Sequence, residues 1–268
     1  MIETAYAKIN LALHVRRRRE DGYHELETLF AFVDDGDRLT ASPAAHDVLN
    51  VKGEFAGSLD NATGNIVMQA LTVLKHVPGW AVGLDKRLPV AAGLGGGSAD
   101  AGAIFRMVQR WGGLPDDWRT RAAKLGADVP ACVDSVACIG LGTGTELLPV
   151  VNDLVGMPVL LVNPRIPLAT GPVFKGWDGI DRGAMPLGSA REIALAGRND
   201  LESPAIELCS EIANVLEALR KSEPLLARMS GSGATCFALY ERHDARDKAL
   251  EYMVSRHPEW WTFAGRLR

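Results

Sequence analysis

Nowhere in the 268 residues does a glycine precede a lysine, and no two cysteines stand in a CxxC pair. No apolar run approaches the roughly 20 residues that a membrane-spanning helix needs. The first absence removes the Gly-Lys-Ser/Thr signature of a Walker A loop. The second leaves Cys132, Cys138, Cys209 and Cys236 without a persuasive ligand spacing, so no metal site is expected and the four read as buried reduced thiols of a cytoplasmic protein. The third leaves no candidate for a membrane-spanning helix. The N-terminal stretch MIETAYAKINLALHV carries Lys8 and Asn10 where a signal peptide would need unbroken apolar residues. Excess positive charge is also lacking. With 29 basic against 33 acidic residues the net charge is −4, so no global field favours nucleic acid or an anionic membrane. The one basic run, Arg16 to Arg19, reads most simply as a solvated turn, with an anion patch as the alternative. Internal repeats and low-complexity segments are absent too.

What is present is ordinary globular composition, 47% apolar and 23% charged, in a chain long enough for one large or two ordinary domains. Residues 5 to 15 alternate strictly: Ala5, Ala7, Ile9, Leu11, Leu13 and Val15 share one face, Tyr6, Lys8, Asn10 and His14 the other. Period two predicts a strand with one buried face. Asp21-Gly22 supplies turn chemistry, and HELETLFAFV resumes as a strand. Helical spacing is expected over 65–75, in a segment opening near Ser98 as N-cap, over LPDDWRTRAAKLG with Gly126 as its stop, over 204–220 as one helix, and in DARDKALEYMVSR. VACIGLGTGTELLPV predicts two short strands around a Gly-Thr turn, and PVLLVNP a buried strand opening a second unit. Residues 171–200, rich in Gly and Pro, assign no element. Strands and helices in blocks predict an α+β fold.

The densest feature is LPVAAGLGGGSADAGA, where Gly93, Gly95, Gly96, Gly97 and Gly102 fall within ten residues. Glycine weakens any regular element, so bare backbone at this density needs a reason. A helix start carries unpaired N–H donors and partial positive charge, and glycines let that backbone wrap an anion, typically a phosphate. A flexible loop or close helix packing is the bland alternative. Neither the Rossmann GxGxxG nor the nucleophile elbow GxSxG fits the register.

The flanks are more specific. Pro89, Val90, Ala91, Ala92, Gly93, Leu94, Gly95, Gly96, Gly97 and Ser98, followed by Ala99, closely resemble the phosphate loop of the galactokinase, homoserine kinase, mevalonate kinase and phosphomevalonate kinase superfamily. AYAKINLALHV, DGYHELETLF, LGADVP and SGSGAT resemble, in order, motifs of its branch acting on a cytidine diphosphate alcohol of the non-mevalonate isoprenoid route. The resemblance implies a two-domain small-molecule kinase, spanning 1–152 for ATP binding and catalysis and 153–268 for substrate binding, with the active site in the cleft between them. It implies ATP-dependent phosphorylation of a hydroxyl of 4-diphosphocytidyl-2-C-methyl-D-erythritol, with Mg2+ arriving on the ATP. No nucleic acid or membrane partner is expected.

Carried onto this sequence, the resemblance makes Lys8 and Asp128 the catalytic pair. Asn65, Lys86 and Asp100 fall where the family contacts the nucleotide. Asn10 shares Lys8's face, Tyr23 and His24 match positions that hold cytosine, Phe174 matches a second aromatic face, and Gly231, Ser232 and Gly233 line the site. Several of these have a plainer reading. Lys8 and His24 can be solvated, Tyr23 can sit at a hairpin rim, Asp128 can cap a helix, and SGSGAT can be a tight turn. Two departures stand out: Ala99 replaces a frequent serine, and Asp100 brings negative charge near the helix start, where Lys86 or magnesium would screen it. Competing readings are a kinase of another small alcohol, which Tyr23-His24 argues against, and a nucleotide- or RNA-binding module using Arg16 to Arg19.

Overall fold

The computed structural model describes residues 1–59, 64–75 and 79–268. The chain divides into two compact units, each discontinuous in sequence. The first is Met1–Lys8, Asp35–Val90 and Gly95–Val136; the second is Ile9–Asp34, Ala91–Leu94 and Ala137–Arg268. The expected single boundary at 152/153 does not coincide with that division, because β1 (Ile2–Arg18) and β2 (His24–Ala44) each contribute residues to both units. β1 carries the expected alternation, but its polar face is not solvated. Lys8, Asn10 and His14 are buried at 3%, 4% and 0% exposure, so each needs a partner.

In the first unit β3 (Val48–Lys52) runs parallel to β4 (Gly79–Asp85), which pairs antiparallel with residues 38–44 of β2. The sequence reading assigned neither β3 nor β4, although Trp80, Val82 and Leu84 alternate and are fully buried. α1 (Ile66–Leu74) buries Val67, Ala70, Leu71 and Leu74, as its spacing requires. α2 (Gly96–Gly112) turns Ala101, Ile104, Phe105 and Val108 inward and packs on α1 and on α4 (Val129–Asp134). Between them α3 (Trp118–Leu125) stops at Gly126.

In the second unit β5 (Cys138–Gly142) and β6 (Glu146–Pro149) form the expected hairpin, and β5 pairs with residues 26–30 of β2. β7 (Pro158–Asn163) is buried at all six positions, as PVLLVNP predicts. Residues 171–200 hold two short helices, α5 (Thr170–Lys175) and α6 (Ala190–Ala196), the latter opened by a capping box from Ser189 and Glu192. The single helix expected over 204–220 is two: α7 (Glu202–Leu208) and α8 (Glu211–Arg220), parted at Cys209, whose φ of −144° is not helical. Leu208 is therefore 53% exposed, while Ile212, Val215, Leu216 and Leu219 keep the buried stripe. β8 (Leu226–Met229), β9 (Cys236–Leu239), α9 (His243–Arg256) and β10 (Trp261–Arg266) complete an antiparallel sheet of order β10-β7-β9-β8 with α9 against β7 and β10. Among the described residues no helix is long and apolar enough to cross a membrane. All four cysteines are buried and outside any disulfide.

Candidate active site

In the first unit the glycine-rich segment becomes the start of α2. Its N-cap is Gly95, not Ser98, which lies inside the first turn. No side chain caps this end, so the dipole's positive end has no side-chain partner. Gly95 takes the left-handed conformation at φ +59°, and a Cβ there would lie 2.8 Å from Lys8 Cε and 3.7 Å from Asp128 Oδ2. The bare backbone thus lies directly against the pair that the resemblance singles out.

That pair is formed. Lys8 Nζ is 3.0 Å from Asp128 Oδ2, with the lysine side chain 4% exposed and the aspartate 32% exposed. A lysine buried on a strand and an aspartate 120 positions later meet because β1 and α4 both pack in this unit. Asp128 does occupy the N-cap position of α4, the plainer reading, but its side chain makes no capping bond. Its carboxylate is aimed at Lys8 and partly open to solvent.

Lys86 and Asp100 do something different. Lys86 Nζ lies 2.7 Å from Asp100 Oδ2 and 2.5 Å from Asp37 Oδ2, and all three are at most 2% exposed. Asp37 was missed in the sequence. Its Oδ1 accepts from the Arg87 and Leu88 N–H groups at 2.6 and 2.8 Å, fixing the turn that leads into the loop. Burial works against the Lys86 charge, but the two carboxylates outweigh it and raise its pKa. Burial pushes Asp100 up to about 7, opposed by Lys86 and reinforced by Asp37. In this arrangement the screening of Asp100 comes from Lys86, and neither side chain is presented to solvent. The ammonium instead lies beneath the loop, 3.1 Å from where a Cβ on Gly96 would be. A side chain at Gly96 would therefore press on Lys86, not on a ligand. Asn65 accepts from Val67 N–H at 2.9 Å and caps α1. Ala99 is 1% exposed, so a hydroxyl at that position would face the interior.

In the second unit Ala91 adopts φ +52°, unusual for alanine, and Gly93 φ +76°. A Cβ on Gly93 would meet the Ser230 carbonyl at 2.2 Å, so close packing against SGSGAT requires glycine there. The organising residue is Ser230, which the sequence reading passed over in favour of Gly231, Ser232 and Gly233. Its hydroxyl donates to the Gly93 carbonyl at 2.8 Å and accepts the Asn10 N–H at 3.1 Å. Asn10 Nδ2 donates to Thr28 Oγ1 at 2.8 Å, and its Oδ1 lies 3.0 Å from a notional Cβ on Gly231. Asn199 Nδ2 supports the loop by donating to the carbonyls of Met229 and Gly231, both at 2.8 Å. Ser232 Oγ is 3.0 Å from Thr170 Oγ1 at the start of α5.

The aromatic residues of this unit also gather. The His24 ring lies 5.0 Å from Phe174, tilted by 40°, and 5.8 Å from Trp177 at 82°. Tyr23 is 65% exposed. His24 Nε2 and Trp177 Nε1 are buried without a hydrogen-bond partner. Burial, then the Arg18 charge, lowers the His24 pKa, so the ring is neutral near pH 7 with one donor and one acceptor nitrogen. A flat ring with a polar edge is the chemical complement of such a cluster.

Residues 65–139 match the family model described as GHMP kinases N terminal domain, and residues 186–259 that described as GHMP kinases C terminal. A curated relative from Novosphingobium aromaticivorans, 4-diphosphocytidyl-2-C-methyl-D-erythritol kinase, is 70% identical over 99% of this chain and 92% of its own. The protein of the same name from Erythrobacter litoralis is 59% identical over 99% of each chain. A crystal structure of 4-(cytidine 5'-diphospho)-2C-methyl-D-erythritol kinase superposes with a TM-score of 0.84 at 32% identity, covering 100% of this chain and 99% of that one. A homoserine kinase structure from Cytophaga hutchinsonii, at 16% identity and TM-score 0.66 over 98% and 95% of the two chains, shares the fold.

Proposed function

The chain belongs to the 4-diphosphocytidyl-2-C-methyl-D-erythritol kinases of the GHMP kinase superfamily, and from that premise we propose how its residues divide the reaction. The γ-phosphoryl group of ATP passes to a hydroxyl of 4-diphosphocytidyl-2-C-methyl-D-erythritol, giving the 2-phosphate and ADP in the non-mevalonate route to isoprenoid precursors.

The observation that carries the mechanism is the Lys8–Asp128 pair at 3.0 Å, lying against Gly95 and the uncapped start of α2. Asp128 accepts the proton of the attacking hydroxyl as its oxygen closes on phosphorus. Lys8 holds that carboxylate in place and offsets negative charge on the group in flight. The N–H groups of Gly96, Gly97 and Ser98 bind the phosphates that face them. Phosphoryl transfer asks for little else, because positioning and electrostatic stabilisation do most of the work. The buried Lys86 charge adds positive potential under the loop while Asp37 and Asp100 keep it fixed.

Among the described residues no group of three or more His, Cys, Asp or Glu could cage a metal. That suits Mg2+, which keeps much of its water and is held largely by the phosphates it arrives with. The Ser98 hydroxyl in the first turn of α2 is the donor that would complete its shell. Bound there, the ion would neutralise charge on the departing phosphates.

In the second unit Tyr23, His24 and Phe174 take the cytosine. The test is a panel of alcohols with ATP, scored for phosphorylated product. Turnover with the cytidine diphosphate substrate and none with homoserine or mevalonate is expected. Equal turnover with a base-free alcohol would remove the cytidine assignment.

A further inference from the structure

The arginine run at the end of β1 has no part in phosphoryl transfer, and its side chains sort by the period of the strand. Arg17 and Arg19 serve the hairpin that β1 forms with β2: Arg17 pairs with Glu25 at 3.3 Å, and Arg19 with Asp21 at 3.0 Å. Arg16 and Arg18, on the other face, reach far along the chain. Arg16 pairs with Glu27 at 2.7 Å and with Asp181 at 3.0 Å. Arg18 Nη2 donates to the Lys175 carbonyl at 3.1 Å and to the Trp177 carbonyl, and its guanidinium lies 5.9 Å from the Trp177 ring centre. Glu27 also accepts the Met185 N–H at 2.5 Å. Every arginine of the run has a protein partner, which speaks against a vacant anion patch.

What these contacts join is informative. The hairpin carries Tyr23 and His24, and the clasped segment begins at the end of α5, which carries Phe174. The His24 ring is bounded by Phe174 and Trp177, so its plane follows from where that segment lies. The plane in turn sets the direction of the unpartnered Nε2. One guanidinium nitrogen makes both bonds while the planar group lies by the Trp177 ring, which suits this bracing better than a point charge does.

We propose that Arg16 and Arg18 are positioning residues for base recognition, clasping segment 175–185 to the hairpin so that Phe174 and Trp177 hold His24 at the angle that reads the cytosine edge. The proposal rests on the reading that the substrate carries cytosine, and the experiment separates the two. The wild-type enzyme is first assayed with the cytidine substrate and with its uridine counterpart. R16Q, R18Q and R18K are then measured with both, alongside the KM for ATP and the unfolding temperature. Base–aromatic contacts contribute enough that their misalignment should raise KM for the cytidine substrate about tenfold in R18Q. The cytidine-over-uridine preference should narrow by a similar factor, while kcat at saturation and the KM for ATP stay within about twofold. R18K keeps the charge without the planar guanidinium beside Trp177 and should not restore the preference. Equal weakening of both substrates would make the arginines diphosphate contacts and overturn the proposal. So would an unchanged preference, or a fall in all parameters together with the unfolding temperature. A wild-type enzyme that ignores the base would instead defeat the cytidine reading itself.

Discussion

Replacing Gly95 by alanine adds one methyl group, and the structure says where it goes. The backbone at φ +59° is the left-handed conformation, which costs an alanine about 1–2 kcal/mol relative to glycine. The methyl would lie 2.8 Å from Lys8 Cε, whereas carbon atoms rest comfortably at about 3.5–4.0 Å, so something must give by about 1 Å. The flexible lysine gives more easily than the strand or helix. Its ammonium, 3.0 Å from Asp128, is then displaced from the carboxylate it orients. A misplacement of about 1 Å at reacting groups can cost about 10²-fold in rate. The expected outcome for Gly95→Ala is therefore a folded protein, less stable by about 1–2 kcal/mol, with kcat down about 10²-fold and the KM for ATP changed by no more than a few-fold. The control is Gly97→Ala. Among the described residues its Cβ would meet only Ile66 Cγ2, at an ordinary 3.5 Å, in a helical position where alanine is favoured. Steady-state kinetics and urea unfolding of both variants decide the matter. If Gly95→Ala turns over like wild type, the position of Lys8 is not what catalysis needs. If Gly97→Ala falls equally, crowding of the loop is responsible, not the lysine.

Asp128→Asn should lower kcat by about 10²–10⁴ with little change in unfolding temperature, and near-normal turnover would remove Asp128 as the base. Tyr23→Ala and Phe174→Ala should each weaken the cytidine substrate about tenfold to a hundredfold and leave the KM for ATP alone, read from kcat/KM with each substrate varied. His14 is committed as a neutral ring, Nδ1 donating to the Gly183 carbonyl at 3.3 Å and Nε2 accepting the Arg198 N–H at 3.2 Å. Burial, then the Arg198 charge, lowers its pKa below 6.5, so the unfolded chain takes up the proton first and stability falls as pH drops through the unfolded value. Asp100, raised to about 7, acts in the opposite direction over the same range. The His14 contribution is therefore the difference in urea midpoint between wild type and His14→Gln from pH 7.5 to 5.5, and a constant difference would refute it.

The α+β class, β1, the long hairpin and the amphipathic helices were legible because each is written in local periodicity. The join of α7 and α8 was not, since Leu208 fits the helical stripe as well as any residue that is actually buried. The Lys8–Asp128 ion pair was legible only by resemblance: a lysine on the polar face of a strand looks solvated until the packing closes over it. For Lys86 and Asp100 the resemblance pointed outward while the fold seals them with Asp37, a contact between three elements that no local pattern announces. Ser230 was inside a quoted motif and still missed, because its role depends on what Gly93 and Asn10 present to it.

Pro130 is the second residue of α4, directly after Val129. A side chain at an N-cap ordinarily accepts from the N–H of the second or third helical residue, and proline has no N–H to offer. One of the two backbone groups that would compete for the Asp128 carboxylate is therefore deleted from the chain. A carboxylate tied to backbone donors is a weaker base, so this proline leaves the helix start undemanding and the aspartate free for protons from elsewhere. Pro130→Ala, far milder than any change to Asp128 itself, should return that donor. It should lower kcat. An unchanged kcat would mean that the carboxylate is kept off the cap by Lys8 alone.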